Sequence, residues 1–251
     1  TCASSCAYSP NGQLLLVGFG SGIIGKEERK EGAYVVLNEE DLTLVHEARD
    51  SKSIINDCKF SPDGELIALA SADGSIYIYN ASDYAAKCRC RGHTGKVTHL
   101  DFSQDSQFLM SNCSAGDLLF WDAARGEQQT PKLMREALWN THTCVYSYAS
   151  QGIWGPYADG VECNFATANH ARDMLISVDN YGRVRGYTFP CIKEDANYIV
   201  MHGHAANVLN CRFSCDDTYL LTTGGTDGCV MQWRVTLPET QHWGDMKKDE
   251  N

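Results

Sequence analysis

Eight histidines, twelve cysteines and 32 acidic residues give this 251-residue chain ample material for metal binding or nucleophilic chemistry, so their spacing decides what they do. His202-Gly203-His204 places two imidazoles two residues apart, yet zinc needs three or four ligands and no further donor follows at matching spacing. Cys88-Arg89-Cys90 and the pair Cys211 and Cys215 lack the doubled spacing of a zinc ribbon, and Cys88 and Cys90 share one face of a strand. Gly20 to Gly25 (GSGIIG) has the form of a dinucleotide fingerprint. That fingerprint works by setting a pyrophosphate on a helix N-terminus, and the next strand, expected at 34–37, leaves no room for the helix. Ser, His and Asp recur in turns rather than converging on one point. The expectation is therefore no catalytic residue, no cofactor and no metal.

What these residues do instead is visible in the stretch 203–233, GHAANVLNCRFSCDDTYLLTTGGTDGCVMQW. A Gly-His pair opens it, two alternating apolar runs follow, Asp227-Gly228 makes a tight turn that tolerates positive φ, and a third strand ends on Trp233. This is the grammar of one blade of a WD-type β-propeller. His204, Asp227 and Trp233 can hydrogen-bond in series and are read as structural, as are His93 and Trp121 in an earlier copy. Used as a probe, the stretch organises the whole chain. Tyr8-Ser9-Pro10-Asn11-Gly12, Phe60-Ser61-Pro62-Asp63-Gly64, Phe102-Ser103-Gln104-Asp105-Ser106 and Phe213-Ser214-Cys215-Asp216-Asp217 form one recurring turn, with Phe165-Ala166-Thr167 as a degenerate copy. Second turns recur at 72–74, 115–117, 180–182 and 226–228. The expected fold is all-β, a WD40 propeller with five recognisable blades at about 1–47, 53–90, 92–148, 152–190 and 198–235.

Departures from the repeat are candidates for function. The second hairpin of blade one is lengthened between Gly18 and Ala33 by a polar, Gly-rich insertion that reads as a protruding loop. Residues 125–160 replace a short linker, with 144–148 expected as the outer strand of blade three and 152–157 as an aromatic loop. Blade three also shows Ala115 where the turn Asp should stand, so other bracing is expected there. Trp154, Tyr157, Asp159 and Tyr181 would gather at one rim, where aromatic residues serve either as partner-binding anchors or as a plug for the missing Gly-His pair. After Trp233 the chain turns polar, and 236–251 read as a disordered tail. With no outer strand in blade five, the five blades are expected to be the C-terminal part of a larger or tandem propeller.

A net charge of −11 argues against nucleic acid and anionic membrane as partners. No apolar run approaches the roughly 18 residues that a membrane span needs. The cysteines fall mostly in strands, with Cys58, Cys163 and Cys211 in matching places, and read as reduced thiols of a cytoplasmic protein.

From Trp139 onward the likeness becomes more specific. The runs WNTHTC (139–144), Gly152-Ile153-Trp154, Asp159-Gly160, Asn164, DNYGRV (179–184) and YTFPC (187–191), then GHAANV (203–208) and TGGTD (223–227), resemble the echinoderm microtubule-associated protein-like family. Blades one to three match mainly as generic repeats. The resemblance implies a tandem propeller near the end of a longer chain, no enzymatic activity, and a protein partner in tubulin or microtubules at the cytoskeleton. In that family microtubule attachment rests largely on a basic N-terminal region, which this sequence lacks, while the propellers are associated with soluble tubulin. The alternative reading is a general WD40 scaffold for other peptides or for ciliary or signalling complexes.

Overall fold

The computed structural model describes residues 2–20, 31–154, 163–194 and 196–236. Five antiparallel sheets follow one another along the chain, each a meander whose strands pair in sequence order, as blades of a β-propeller do. Blade one holds β1 (Cys2–Tyr8), β2 (Leu14–Gly20), β3 (Tyr34–Asn38) and β4 (Leu44–Ala48). Blade two holds β5 (Ile55–Phe60), β6 (Leu66–Ser71), β7 (Ser75–Asn80) and β8 (Ala86–Arg91). Blade three holds β9 (Val97–Phe102), β10 (Phe108–Cys113), β11 (Leu118–Asp122) and β12 (Gln128–Gln129). Blade four holds β13 (Cys163–Ala168), β14 (Met174–Asp179), β15 (Arg183–Thr188) and β16 (Tyr198–His202). Blade five has three strands among the described residues, β17 (Val208–Phe213), β18 (Tyr219–Gly224) and β19 (Val230–Arg234). The contacts divide the chain into two compact units, Thr1–Asn140 and Thr141–Asn251.

Within the first unit the core lies between successive blades. Every residue of β6 is buried, and period two sends Ile67 and Leu69 toward Leu16, Tyr34 and Val36 of blade one while Leu66, Ala68 and Ala70 face Leu100, Leu109 and Trp121 of blade three. A middle strand apolar on both faces explains the unbroken run LIALAS. In the second unit Phe165, Ile176 and Val184 of blade four meet Val208, Cys211 and Leu220 of blade five in the same manner.

Hydrogen bonds tie the blades where apolar contact alone would let them slide. Each first strand carries a bulge near its start, at the third residue of β1 and the second of the others: Ser4, Asn56, Thr98, Asn164 and Leu209 fall out of register with the neighbouring strand. In blades one, two and four the bulge aims the side chain at the next blade, whereas Thr98 bonds to the Asn112 carbonyl of its own blade. Ser4 Oγ donates to the Ile55 carbonyl, Asn56 Nδ2 to that of Val97 at 2.6 Å, and Asn164 Nδ2 to that of Val208 at 2.8 Å. All three acceptor residues are fully buried. Asp57 adds a second tie, its carboxylate accepting the Leu100 N–H at 3.0 Å.

The recurring Ser-x-Asp turn has a clear mechanism. In blades two, three and five the hydroxyls of Ser61, Ser103 and Ser214 donate to a carboxylate two residues on, at 2.5–2.6 Å, and accept the N–H that opens the next strand. Ser9 does the same in blade one with Asn11. The fourth turn residue takes positive φ: 72° at Gly12, 77° at Gly64, 61° at Ser106, 58° at Arg172 and 56° at Asp217. Non-glycine residues accept that conformation where the side chain is used. Asp217 caps blade four by accepting the N–H groups of His170 and Ala171 at 3.0 and 2.9 Å, and Ser106 Oγ accepts Asp63 N–H at 3.1 Å in the equivalent place.

These contacts correct several expectations from sequence. Blade four's copy of the turn is 168–172, not 165–167: Asn169 Oδ1 accepts the Met174 N–H at 3.0 Å in the role of the serine. Cys163 pairs at the position of Ile55 and Val208, whereas Cys58 and Cys211 share a place with Ala166. The outer strand of blade three is β12, and residues 144–148 are not a strand. They lead into a 3₁₀ helix, Tyr148–Ile153. After α1 (Pro131–Met134) the chain returns along the end of β9, where Trp139 bridges to Ser103 and packs on Phe120 with ring centroids 5.7 Å apart. All twelve cysteines are free. Among the described residues no helix is long and apolar enough to cross a membrane.

Asn56→Ala leaves the Val97 carbonyl without its side-chain donor and is expected to cost about 1–2 kcal/mol in urea unfolding, with no change in secondary structure by circular dichroism. The Asp216 carboxyl is held down at about 2 by the Ser214 hydroxyl and then by Thr218, against an ordinary value of 3.8. A depressed carboxylate stabilises the fold fully above the unfolded value and loses that contribution as pH falls through the folded one. The difference in urea midpoint between the natural chain and Asp216→Asn is therefore expected to be constant above about pH 5 and to shrink between pH 4 and 2.

Candidate functional site

Blades three and five each contain a buried polar brace. In blade five, Trp233 Nε1–H donates to Thr222 Oγ1 at 2.8 Å, the same hydroxyl lies 2.8 Å from His204 Nε2, and His204 Nδ1 lies 2.9 Å from Asp227 Oδ2. One consistent polarity satisfies the chain: indole to hydroxyl, hydroxyl to imidazole, imidazole to carboxylate. The Asp227 carboxyl is held below its usual range by the Cys229 N–H and then by His204. Third strand, second strand, entry loop and turn are thereby fastened together. Sequence reasoning named the histidine, carboxylate and indole but missed Thr222, without which the indole and imidazole have no common partner. A hydroxyl at the fourth residue of the second strand in both braced blades was the available signal.

Blade three repeats the arrangement with one change. Trp121 Nε1–H donates to Ser111 Oγ at 2.8 Å and His93 Nε2 lies 2.6 Å from it. The carboxylate comes from Asp117, which accepts Thr94 N–H at 2.8 Å and Thr94 Oγ1–H at 2.7 Å but stays 3.9 Å from His93 Nδ1. Ala115 therefore did not remove the carboxylate; the turn moved it two residues on. Burial lowers the His93 pKa, keeping the ring neutral.

Hydroxyl, imidazole and carboxylate in this order match the parts of a nucleophilic triad. Here both hydroxyls are fully buried and already accept an indole N–H, so no substrate carbonyl can approach them. A different grouping has metal-ligating donors: His93, Cys113 and Asp117 bring one nitrogen, one sulfur and one oxygen within 4.8 Å of one another. His202 is exposed and His204 is engaged in its brace, so the pair that the sequence offered as a metal seed is not brought together with further ligands among the described residues.

Of the four residues named as partner-binding candidates, Tyr157 and Asp159 lie outside the described residues. Trp154 is half-buried and stacked on Tyr146, with centroids 4.8 Å apart and planes at 14°, and its Nε1–H donates to the Val145 carbonyl at 3.1 Å. It packs in one cluster with Tyr187 and Cys191. The 3₁₀ helix beside it is stitched down by Gly152 N–H to the Cys191 carbonyl at 2.8 Å, and a Cβ on Gly152 would stand 2.4 Å from the Lys193 carbonyl oxygen. Tyr181 is 61% exposed in the turn between β14 and β15, followed by Gly182 at φ 77°, with the Arg183 guanidinium 5.2 Å from its ring. Below it Asp179 is buried, accepting the N–H groups of Tyr181 and Arg183 at 2.8 and 3.1 Å and facing Arg185 at 3.0 Å, so the turn that carries Tyr181 is rigidly held.

Residues 1–235 match the family description "Echinoderm microtubule-associated protein second beta-propeller". The chain belongs to the echinoderm microtubule-associated protein family. Curated relatives include echinoderm microtubule-associated protein-like 2 of Rattus norvegicus, 34% identical over 93% of this chain and 35% of that protein. The protein-like 1 of Mus musculus is 33% identical over 93% of this chain and 28% of its own length, and protein-like 3 of Mus musculus 32% over 92% and 25%. The chain thus spans about a quarter to a third of the length of these relatives. Among solved structures, the Myceliophteria thermophila Cps50 (Swd1) β-propeller domain superposes with a TM-score of 0.62 at 10% identity, covering 98% of this chain and 70% of that one, a likeness of fold alone.

In this echinoderm microtubule-associated protein propeller the brace is expected to depend on one hydroxyl. Thr222→Val keeps the shape but strands the Trp233 indole N–H and the His204 imidazole, and should cost about 2 kcal/mol or more in chemical unfolding. Thr222→Ser, which keeps the oxygen, should cost less than about 1 kcal/mol.

Proposed function

We propose that this propeller is a non-enzymatic interaction scaffold that associates with tubulin or microtubules at the cytoskeleton. The observation that carries this is the family match over 1–235; the relatives are named as microtubule-associated proteins. Two features of the structure support it. The residues with nucleophilic potential in blades three and five are consumed in buried braces, and an exposed aromatic, Tyr181, is held on a rigid turn beside a cation. An exposed Tyr next to an Arg is the composition of an interface hot spot. The net charge of −11 makes local complementarity, rather than bulk attraction, the means of contact with another acidic protein.

The test is gel filtration of this chain with purified αβ-tubulin dimer, followed by titration of variants. Co-elution is expected, and Tyr181→Ala should weaken binding about tenfold or more while leaving the unfolding midpoint unchanged. Trp154→Ala should do the reverse in its main effect, lowering stability by about 2–3 kcal/mol through loss of the Tyr146 stack and the Val145 hydrogen bond. No co-elution would remove tubulin as the partner of this propeller. Equal binding by Tyr181→Ala would move the contact away from blade four.

A further inference from the structure

Blades three and five differ at one corner of an otherwise shared brace. The turn joining the second and third strands is one residue shorter in blade three, 113–117 against 224–229. The residue paired with the first position of the first strand is Gly224 in blade five and Cys113 in blade three. In blade five a Cβ at Gly224 would fall 1.7 Å from Asp227 Oδ1, so the His204–Asp227 bond and a side chain at that place exclude each other. Blade three has taken the other option. Cys113 is buried with Sγ 3.2 Å from Asp117 Oδ2, and the imidazole–carboxylate bond is open at 3.9 Å.

The opening leaves an unsatisfied donor set. His93 Nδ1 has no hydrogen-bond partner although its side chain is only 1% exposed, and it faces the carboxylate and thiol. An orphaned imidazole nitrogen in such a place is costly unless something binds it. To ligate through Nδ1 the ring carries its proton on Nε2 and donates it to Ser111 Oγ, whose own proton turns to the Leu119 carbonyl at 3.4 Å, the kind of support that orients a ligating histidine. We propose that His93 Nδ1, Cys113 Sγ and Asp117 Oδ2 form a zinc-class divalent metal site in blade three.

The geometry suits such an ion. Zinc bonds of about 2.0–2.3 Å in a tetrahedron set donors about 3.5 Å apart. The S–O and N–O separations of 3.2 and 3.9 Å bracket that value, and no pair of the three atoms exceeds 4.8 Å, which rotation of the half-buried Asp117 side chain and a small shift of the thiol close. Nitrogen, sulfur and oxygen together favour zinc over the oxygen-seeking calcium and magnesium. Asp117 is 29% exposed, so solvent supplies the fourth ligand. On binding, the thiol proton leaves to solvent and the sulfur coordinates as thiolate. The ion would fasten the entry loop at 93–94 to β10 and the turn, replacing the imidazole–carboxylate bond of blade five. Spacing hid this site, because 20 residues separate His93 from Cys113 and the donors come from a loop, a strand end and a turn.

The experiment uses cobalt(II) as a probe on chain stripped with chelator. Natural chain is expected to bind one equivalent with a thiolate-to-cobalt charge-transfer band and tetrahedral d–d absorption, and zinc should displace it and raise the melting temperature. Cys113→Ala and Cys113→Ser should lose the band, and Asp117→Asn should keep it with affinity lowered at least tenfold. Exposed Cys2, Cys6, Cys215 and Cys229 are the sources of adventitious binding. Absence of the band in natural chain, or its survival in both Cys113 variants, overturns the proposal. A spectrum lost only when the exposed cysteines are replaced would overturn it equally.

Discussion

A sheet whose middle strand is apolar on both faces cannot stand alone, and the rest of this structure follows from that constraint. β6 has no solvent-facing residue, so blade two requires a neighbour on each side. Apolar contact supplies the attraction but little direction, since Leu, Ile and Ala surfaces slide over one another at small cost. The bulges convert attraction into register. By breaking the ladder near the start of the first strand, they free Ser4, Asn56 and Asn164 to meet a backbone carbonyl of the next blade. Each of these three bulges gives up one ladder position within a blade and gains a directional bond between blades.

The buried braces act at right angles to those ties, within one blade. Their comparison shows which part is indispensable. Between blades five and three the indole–hydroxyl distance is unchanged at 2.8 Å, and the hydroxyl–imidazole distance changes only from 2.8 to 2.6 Å. The imidazole–carboxylate distance changes from 2.9 to 3.9 Å. The buried hydroxyl has two partners that cannot reach water, whereas the carboxylate sits at the edge where backbone N–H groups or solvent can replace the histidine. The centre of the brace is therefore what the two blades share, and its rim is where they differ.

That difference also explains what could be read from sequence. The blades were legible because the turns need residues with special backbone freedom: Gly74, Gly182 and Gly228 all take positive φ, and each stood in a recognisable turn. The brace histidines and tryptophans were legible because they hold fixed places in the repeat, the histidine after an opening glycine and the tryptophan late in the third strand. Ser111 and Thr222 were not, since a small hydroxyl residue in a strand looks like any other period-two position. Blade four's first turn was placed three residues early because Asn169 accepts the same N–H as a serine while resembling nothing in the repeat. Residues 144–148 were misread as a strand because a short apolar run fits the approach to a 3₁₀ helix equally well. For the surface, composition marked Trp154 and Tyr181 alike; only packing separates an indole stacked on Tyr146 from a ring exposed to solvent.

The free rim is where a propeller of this kind can acquire new properties without losing its fold. Tyr181 belongs to the turn between second and third strands in blade four, and the His93, Cys113 and Asp117 cluster to the corresponding turn in blade three. In both the turn is anchored from below, by Asp179 accepting two backbone N–H groups in one case and by the Ser111–His93 contact in the other. The proposed partner contact and the proposed ion site would thus be two outcomes of one physical circumstance. The hydrogen bonds that define a blade end one residue beneath its surface, and what stands above them is set by function rather than by folding.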